Sequence, residues 1–123
     1  MKKYRLTDET MVLCGRTLHR IQALRDIPFY NVQEGDFGGW VEKEENLSHE
    51  GACWVRNEGK VYEDAWVYGD ALDDGIANIY GRAKVFGEAQ VLGNVQVFDD
   101  ALIFGCPKIL GNVIVSADVW MTD

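Results

Sequence analysis

Ala77-Asn78-Ile79-Tyr80-Gly81-Arg82-Ala83-Lys84-Val85-Phe86-Gly87-Glu88-Ala89-Gln90-Val91 decides the fold, because it repeats itself at every sixth position. Extended outward, the step of six runs through Val55, Val61, Val67, Ile79, Val85, Val91, Val97, Ile103, Ile109, Val115 and Met121. Asp73 alone breaks the apolar series. Two residues before each anchor stands a small or apolar residue, such as Cys53, Gly59, Ala65, Ala71 or Ala101; two residues after, glycine dominates, with Asn57, Glu63 and Asp99 among the exceptions. Six is not a helical period. Ala-x-Val reads as a short strand with two side chains on one face, since strand side chains alternate. The Gly, Asn or Asp that follows suits the left-handed backbone of a tight corner. Each hexad is therefore one strand and one corner, and three hexads close one triangular coil. A unit of this kind buries its apolar side only by stacking on its neighbours.

The pattern resembles the hexapeptide-repeat left-handed β-helix family over roughly residues 53–123, and the left hand is what the resemblance implies. The expected fold is all-β: a left-handed parallel β-helix at 39–123, preceded by an N-terminal antiparallel β-meander cap at 1–38. Val41 and Leu47 also lie six apart, but two residues out of phase with Val55. Ser48-His49-Glu50-Gly51 therefore reads as a two-residue insertion at a corner. The first forty residues have another texture. Tyr4–Thr7 and Met11–Leu13 read as strands about a turn at Asp8-Glu9-Thr10; Cys14-Gly15-Arg16 is a second turn, and a third strand spans Thr17–Leu24. A loop from Gln33 to Gly39 leads into the coils. The segments Gly38-Gly39-Trp40-Val41-Glu42, Glu45–Gly51 and Gly15–Ile21 are similar to those of small phage and prophage β-helix proteins, often labelled putative transferase or polymer-forming.

The chain has 123 residues, 12 Lys and Arg against 20 Asp and Glu, and a net charge of −8. Residues 1–30 carry a net +3, so the remainder holds −11. An acidic solenoid repels nucleic acid, and direct nucleic-acid binding is not expected. The basic segment reads as a neutraliser of its own acidic body. No apolar run approaches the ~20 residues that span a bilayer, and three cysteines at unrelated spacings suit a reducing compartment. No membrane association and a bacterial host cytoplasm are the expectations.

Chemistry is sparse. The acyltransferases that the solenoid resembles use a histidine as general base at a subunit interface, and this chain has two histidines, His19 and His49. His49, at the phase slip, is the candidate base, but a corner hydrogen bond is the preferred reading, because a base needs an oriented partner. Two histidines do not supply the three-histidine metal site of the fold's carbonic anhydrases. No metal and no cofactor are expected. Cys53, at an inward position, reads as packing. Asp73 and Asp74 form a possible polar site. The reading preferred is a local bulge that turns Asp73 outward, the alternative a buried carboxyl serving a site.

The outward positions say more. Residues three hexads apart stack on one side of the prism. One side carries Tyr62, Tyr80 and Phe98, expected partly under the N-terminal segment; another carries Tyr68, Phe86 and Phe104, flanked by Trp66, Leu102 and Trp120, expected to contact a partner. The anchor Met121, with Trp120 on the last coil, is expected to give a second, end-to-end contact. The function expected is a non-enzymatic β-helix scaffold, phage- or prophage-encoded, that self-associates as a dimer or trimer and binds a macromolecular partner such as a host protein. One alternative is a counter-defence inhibitor, blocking a host nucleic-acid-binding protein or sequestering a nucleotide in its oligomer. The other is an acyltransferase-like enzyme.

Overall fold

The computed structural model describes residues 2–116 together with Trp120 and the backbone of Met121. Three parallel sheets enclose one interior. The first holds β3 (Phe37–Val41), β5 (Lys60–Val61), β8 (Asn78–Ile79), β11 (Asn94–Val97) and β14 (Asn112–Val115). The second holds β4 (Trp54–Val55), β7 (Leu72–Asp73), β10 (Gln90–Val91) and β13 (Lys108–Ile109). The third holds β6 (Trp66–Val67), β9 (Lys84–Val85), β12 (Leu102–Ile103) and β15 (Trp120–Met121). Partners on successive coils stand three hexads apart in sequence, as in Val67 beside Val85 and Val85 beside Ile103. The chain is thus an all-β solenoid of about four turns, with an antiparallel start.

The physical cause is the hexad. Val55, Val61, Val67, Ile79, Val85, Val91, Val97 and Ile103 have no solvent exposure, and the alanines between them fill the corners of the same core. Burying a Val or Ile side chain contributes about 1.5–3 kcal/mol. Backbone groups bond from coil to coil: Lys60 N–H donates to the Ala77 carbonyl at 2.9 Å and Tyr62 N–H to that of Ile79 at 3.0 Å. The corners adopt positive φ, near +69° at Gly75 and Gly81, and Asn57, Glu63 and Asp99 take the same conformation at 57–58°. Asn and Asp visit that region because a short polar side chain can bond locally. Glu63 is tied down instead from the next coil, its carboxylate accepting the Gly81 N–H 2.9 Å away.

The phase slip is visible in the pairing. Trp40 stands beside Lys60 and Leu47 beside Val67, each two positions more than three hexads on, whereas Trp54 stands beside Leu72, three hexads on. The surplus lies between Leu47 and Trp54. There Lys3 enters the interior and donates from its ammonium to the carbonyls of Cys53 (2.6 Å) and Gly51 (3.3 Å).

Upstream, β1 (Tyr4–Leu13) and β2 (Arg16–Ala23) form an antiparallel hairpin, and β2 pairs antiparallel with β3. Two expectations change here. Asp8-Glu9-Thr10 is not a turn: β1 is one strand, and its register shifts by two residues between Leu6–Ile21 and Thr10–His19. The surplus residues are absorbed as a bulge, held by Thr7, whose hydroxyl donates to the Arg20 carbonyl and accepts from Glu9 N–H. Nor are Phe37–Gly39 loop; they belong to β3. Gly38 and Gly39 let that strand lie against the next coil, since a Cβ on either would fall 2.5 Å from the carbonyl oxygen of Val55 or Gly59.

Candidate interaction face

The third sheet turns two rows of side chains outward. Trp66, Lys84, Leu102 and Trp120 stand beside one another on successive strands, and Tyr68, Phe86 and Phe104 follow one step along. Parallel strands lie about 4.8 Å apart, which is close to ring-stacking distance. Tyr68 and Phe86 accordingly stack at 4.7 Å with planes 7° apart, and Phe86 and Phe104 at 5.2 Å and 8°. Trp66 lies against Tyr68 at 3.9 Å, and Trp120 meets Phe104 edge-on at 6.4 Å. Stacking of this kind adds about 0.5–1.5 kcal/mol per pair beyond area. It also occupies ring faces, so the ladder presents its edges. The two tryptophans bracket it, Trp66 41% and Trp120 67% exposed. The structure therefore brings Trp66, Tyr68, Phe86, Leu102, Phe104 and Trp120 onto one face; the side chain of Met121 lies outside the described residues.

The first sheet carries the matching ladder, Tyr62 on Tyr80 at 5.0 Å and Tyr80 on Phe98 at 5.2 Å. Its fate differs. Leu18 and Trp40 cover Tyr62, with Met11 and Leu13 of the hairpin packed beside them. Burial pushes the Tyr62 hydroxyl up to about 12. The hairpin's charges are spent on the coils: Arg16 pairs with Glu42 at 3.0 Å and Glu63 at 3.4 Å, and Arg20 with Glu58 at 3.2 Å while lying over the Trp40 ring.

His49 is held on both sides. Its Nδ1 accepts the Lys3 N–H at 3.1 Å, its Nε2 faces a Glu44 carboxylate oxygen at 3.3 Å, and its ring stacks on Tyr4 at 4.2 Å. Burial lowers its pKa, and Glu44 only partly restores it. An imidazole so placed orients the corner. His19 Nδ1 lies 3.1 Å from the Thr7 carbonyl oxygen.

Asp73 and Asp74 are neighbours with opposite surroundings. Asp74 accepts from Arg56 (2.9 Å), Asn57 (2.6 Å) and Gly75 N–H (2.6 Å). Burial works to raise its pKa, but those donors outweigh it and leave the carboxyl below its usual range. Asp73 does not turn outward. No bulge interrupts β7, which pairs in register with β4 and β10, so Asp73 points into the interior with no exposure. Neither of its oxygens has a hydrogen-bond partner among the described residues.

Lys3 escaped the sequence reading, which counted it only as charge. Its Nζ sits 3.2 Å from Cys53 Sγ, and burial lowers its pKa. The carbonyls it meets lie on the first coil: in later coils such carbonyls accept from the coil before, as that of Gly69 does from Cys53 N–H at 3.0 Å, and here Lys3 takes that place. Among the described residues no group of three His, Cys, Asp or Glu side chains could hold a metal, and no helix is long and apolar enough to cross a membrane. A shallow depression beside the hairpin is lined by Lys2, Arg5, Leu6 and Glu44, with Lys2 and Glu44 paired across it at 2.8 Å.

No protein-family profile matches the chain. It is similar to an uncharacterized acetyltransferase of Escherichia coli (strain K12), YdcK: 30% identical over 83 residues, covering 61% of this chain and 23% of that protein. The chain thus spans less than a quarter of the relative's length. Together with the solenoid, the likeness fits a β-helix family.

Proposed function

We propose that this chain is a rigid β-helix module that works by association rather than catalysis, using the third sheet to bind a second copy of itself and so to present its remaining sides to a macromolecular partner. One observation carries the reading: two exposed tryptophans bracket an unbroken aromatic ladder on a flat, hydrogen-bonded sheet. Apolar patches of that kind on a water-facing surface mark contact sites, and tryptophan and tyrosine are favoured at the centres of such contacts. The opposite ladder offers a precedent within the chain, since the hairpin covers Tyr62 in the same manner. The phage-protein resemblance makes a host protein the natural partner, with nucleic-acid-groove mimicry or nucleotide sequestration as variants of the same binding role.

Sedimentation velocity at micromolar concentration tests it. The wild type runs as a dimer or trimer, and Phe104→Asp, with an unchanged circular dichroism spectrum, runs as a monomer. A monomeric wild type that Phe104→Asp leaves unaltered contradicts the proposal. A second reading, an acyltransferase-like enzyme, draws on the acetyltransferase name of the relative. Against it stand two histidines already engaged by polar contacts within the fold. Calorimetric titration with acetyl-coenzyme A separates the readings: micromolar binding favours the enzyme, and no heat favours the module.

A further inference from the structure

Two departures from the repeat meet inside the solenoid. Asp73 is the one polar residue among the anchors of residues 55–115, and Gly59 stands where the later coils carry Ala77 and Val95. The two positions touch: a Cβ placed on Gly59 would lie 2.8 Å from Asp73 Oδ1 and 3.0 Å from its carboxyl carbon. The next coil repeats the same pair of positions as Ala77 and Val91, both without exposure. Gly59 is thus the recess that admits a carboxyl where the rest of the stack has an aliphatic side chain.

We propose that Asp73 is held in this recess as an uncharged carboxylic acid at neutral pH, so that its own contribution to the stability of the stack is largest in acid and falls as the pH rises.

The geometry requires it. An ionised carboxylate with no solvent exposure and no donor among the described residues is far more costly to bury than the neutral acid. The strands above and below present Val55 and Val91 to it, both apolar. The charges facing it are few. Lys60, on β5, attracts it, but its ammonium donates to the Glu58 carbonyl at 3.0 Å; Asp74, the next residue along the chain, repels it. Arg56 beyond β4 is taken by Asp74, and Glu58 by Arg20. Burial first, then Asp74, drive the pKa of Asp73 well above the carboxylate range. The sign follows from linkage. Between the ordinary value near 4 and the higher folded value, the folded chain binds more protons than the unfolded one, so stability falls with rising pH. A single group contributes at most a tenfold change in the unfolding constant per pH unit.

The carboxyl 13C resonance of Asp73, assigned by comparison with Asp73→Asn, gives the direct test. It is expected at the protonated position at pH 7, and an ionised position at pH 7 overturns the proposal. Urea unfolding of wild type and Asp73→Asn from pH 4.5 to 8.5 gives the second. The ratio of their unfolding constants should change at least tenfold over that range, with the wild type gaining towards acid; a constant ratio overturns the proposal. Should Asp73→Asn not fold, Asp73→Val/Gly59→Ala restores the pair found at Val91 and Ala77 and serves as the reference. In the Asp73→Val background Gly59→Ala should be tolerated, whereas alone it should lower the urea midpoint. Equal effects in both backgrounds would show that Gly59 is not the carboxyl's recess.

Discussion

Gly69 turns a corner of the solenoid at a φ of +68°, and a Cβ there would lie 3.0 Å from the Gly87 nitrogen of the next coil. Two costs coincide at that position, a left-handed backbone and a crowded neighbour. Gly69→Ala is therefore expected to lower stability by about 1–2 kcal/mol, measured by chemical denaturation, and an unchanged midpoint would mean that the corner is not left-handed. Its glycine was legible in the hexad, as were the left-handed Asn57 and Asp99; the left-handed Glu63 was not, since its longer side chain does not favour that backbone. Asp73 was not. A polar residue at an anchor position has two physical outcomes, a bulge or burial as the neutral acid. The choice depends on Gly59, which lies more than two hexads upstream and comes into contact only once the coil closes. Lys3 shows the same limit: it is buried on a first-coil carbonyl some 50 residues later in the chain.

At the scale of elements, the short strands followed from period alone, because two inward residues and a corner leave a hexad one way to stack. The hairpin did not. Asp8-Glu9 has the composition of a turn, yet β1 continues through it, since Thr7 satisfies the bulged backbone with its own hydroxyl. What fastens the hairpin to the coils is a small cluster of Leu18, Trp40 and Tyr62, joined by pairs such as Arg16 with Glu42. Exposed ion pairs contribute little, so the cluster should dominate. Leu18, fully buried, becomes the test. Leu18→Ala should cost about 2–5 kcal/mol and lower hydrogen-exchange protection in β1 and β2 while β9 and β12 keep theirs. Uniform loss across all strands would show that hairpin and coils open as one unit.

For the whole molecule, flatness and ring stacking have one origin. A step of three hexads places like positions on adjacent parallel strands, so aliphatic anchors fuse into a core and outward aromatics into ladders. The ladder face could be read from the sequence at positions 66, 68, 86, 102, 104 and 120, because outward residues keep the same step. Which ladder the hairpin covers rests on the antiparallel pairing of β2 with β3. The aromatic face and the Asp73 recess both depend on that step. Methyl-to-methyl NOE spectroscopy on the labelled protein reads it directly. Cross-peaks linking Val67 with Val85 and Val85 with Ile103 are expected. Their absence, with Val67 methyls instead close to residues three or four positions away, would contradict the stacked arrangement.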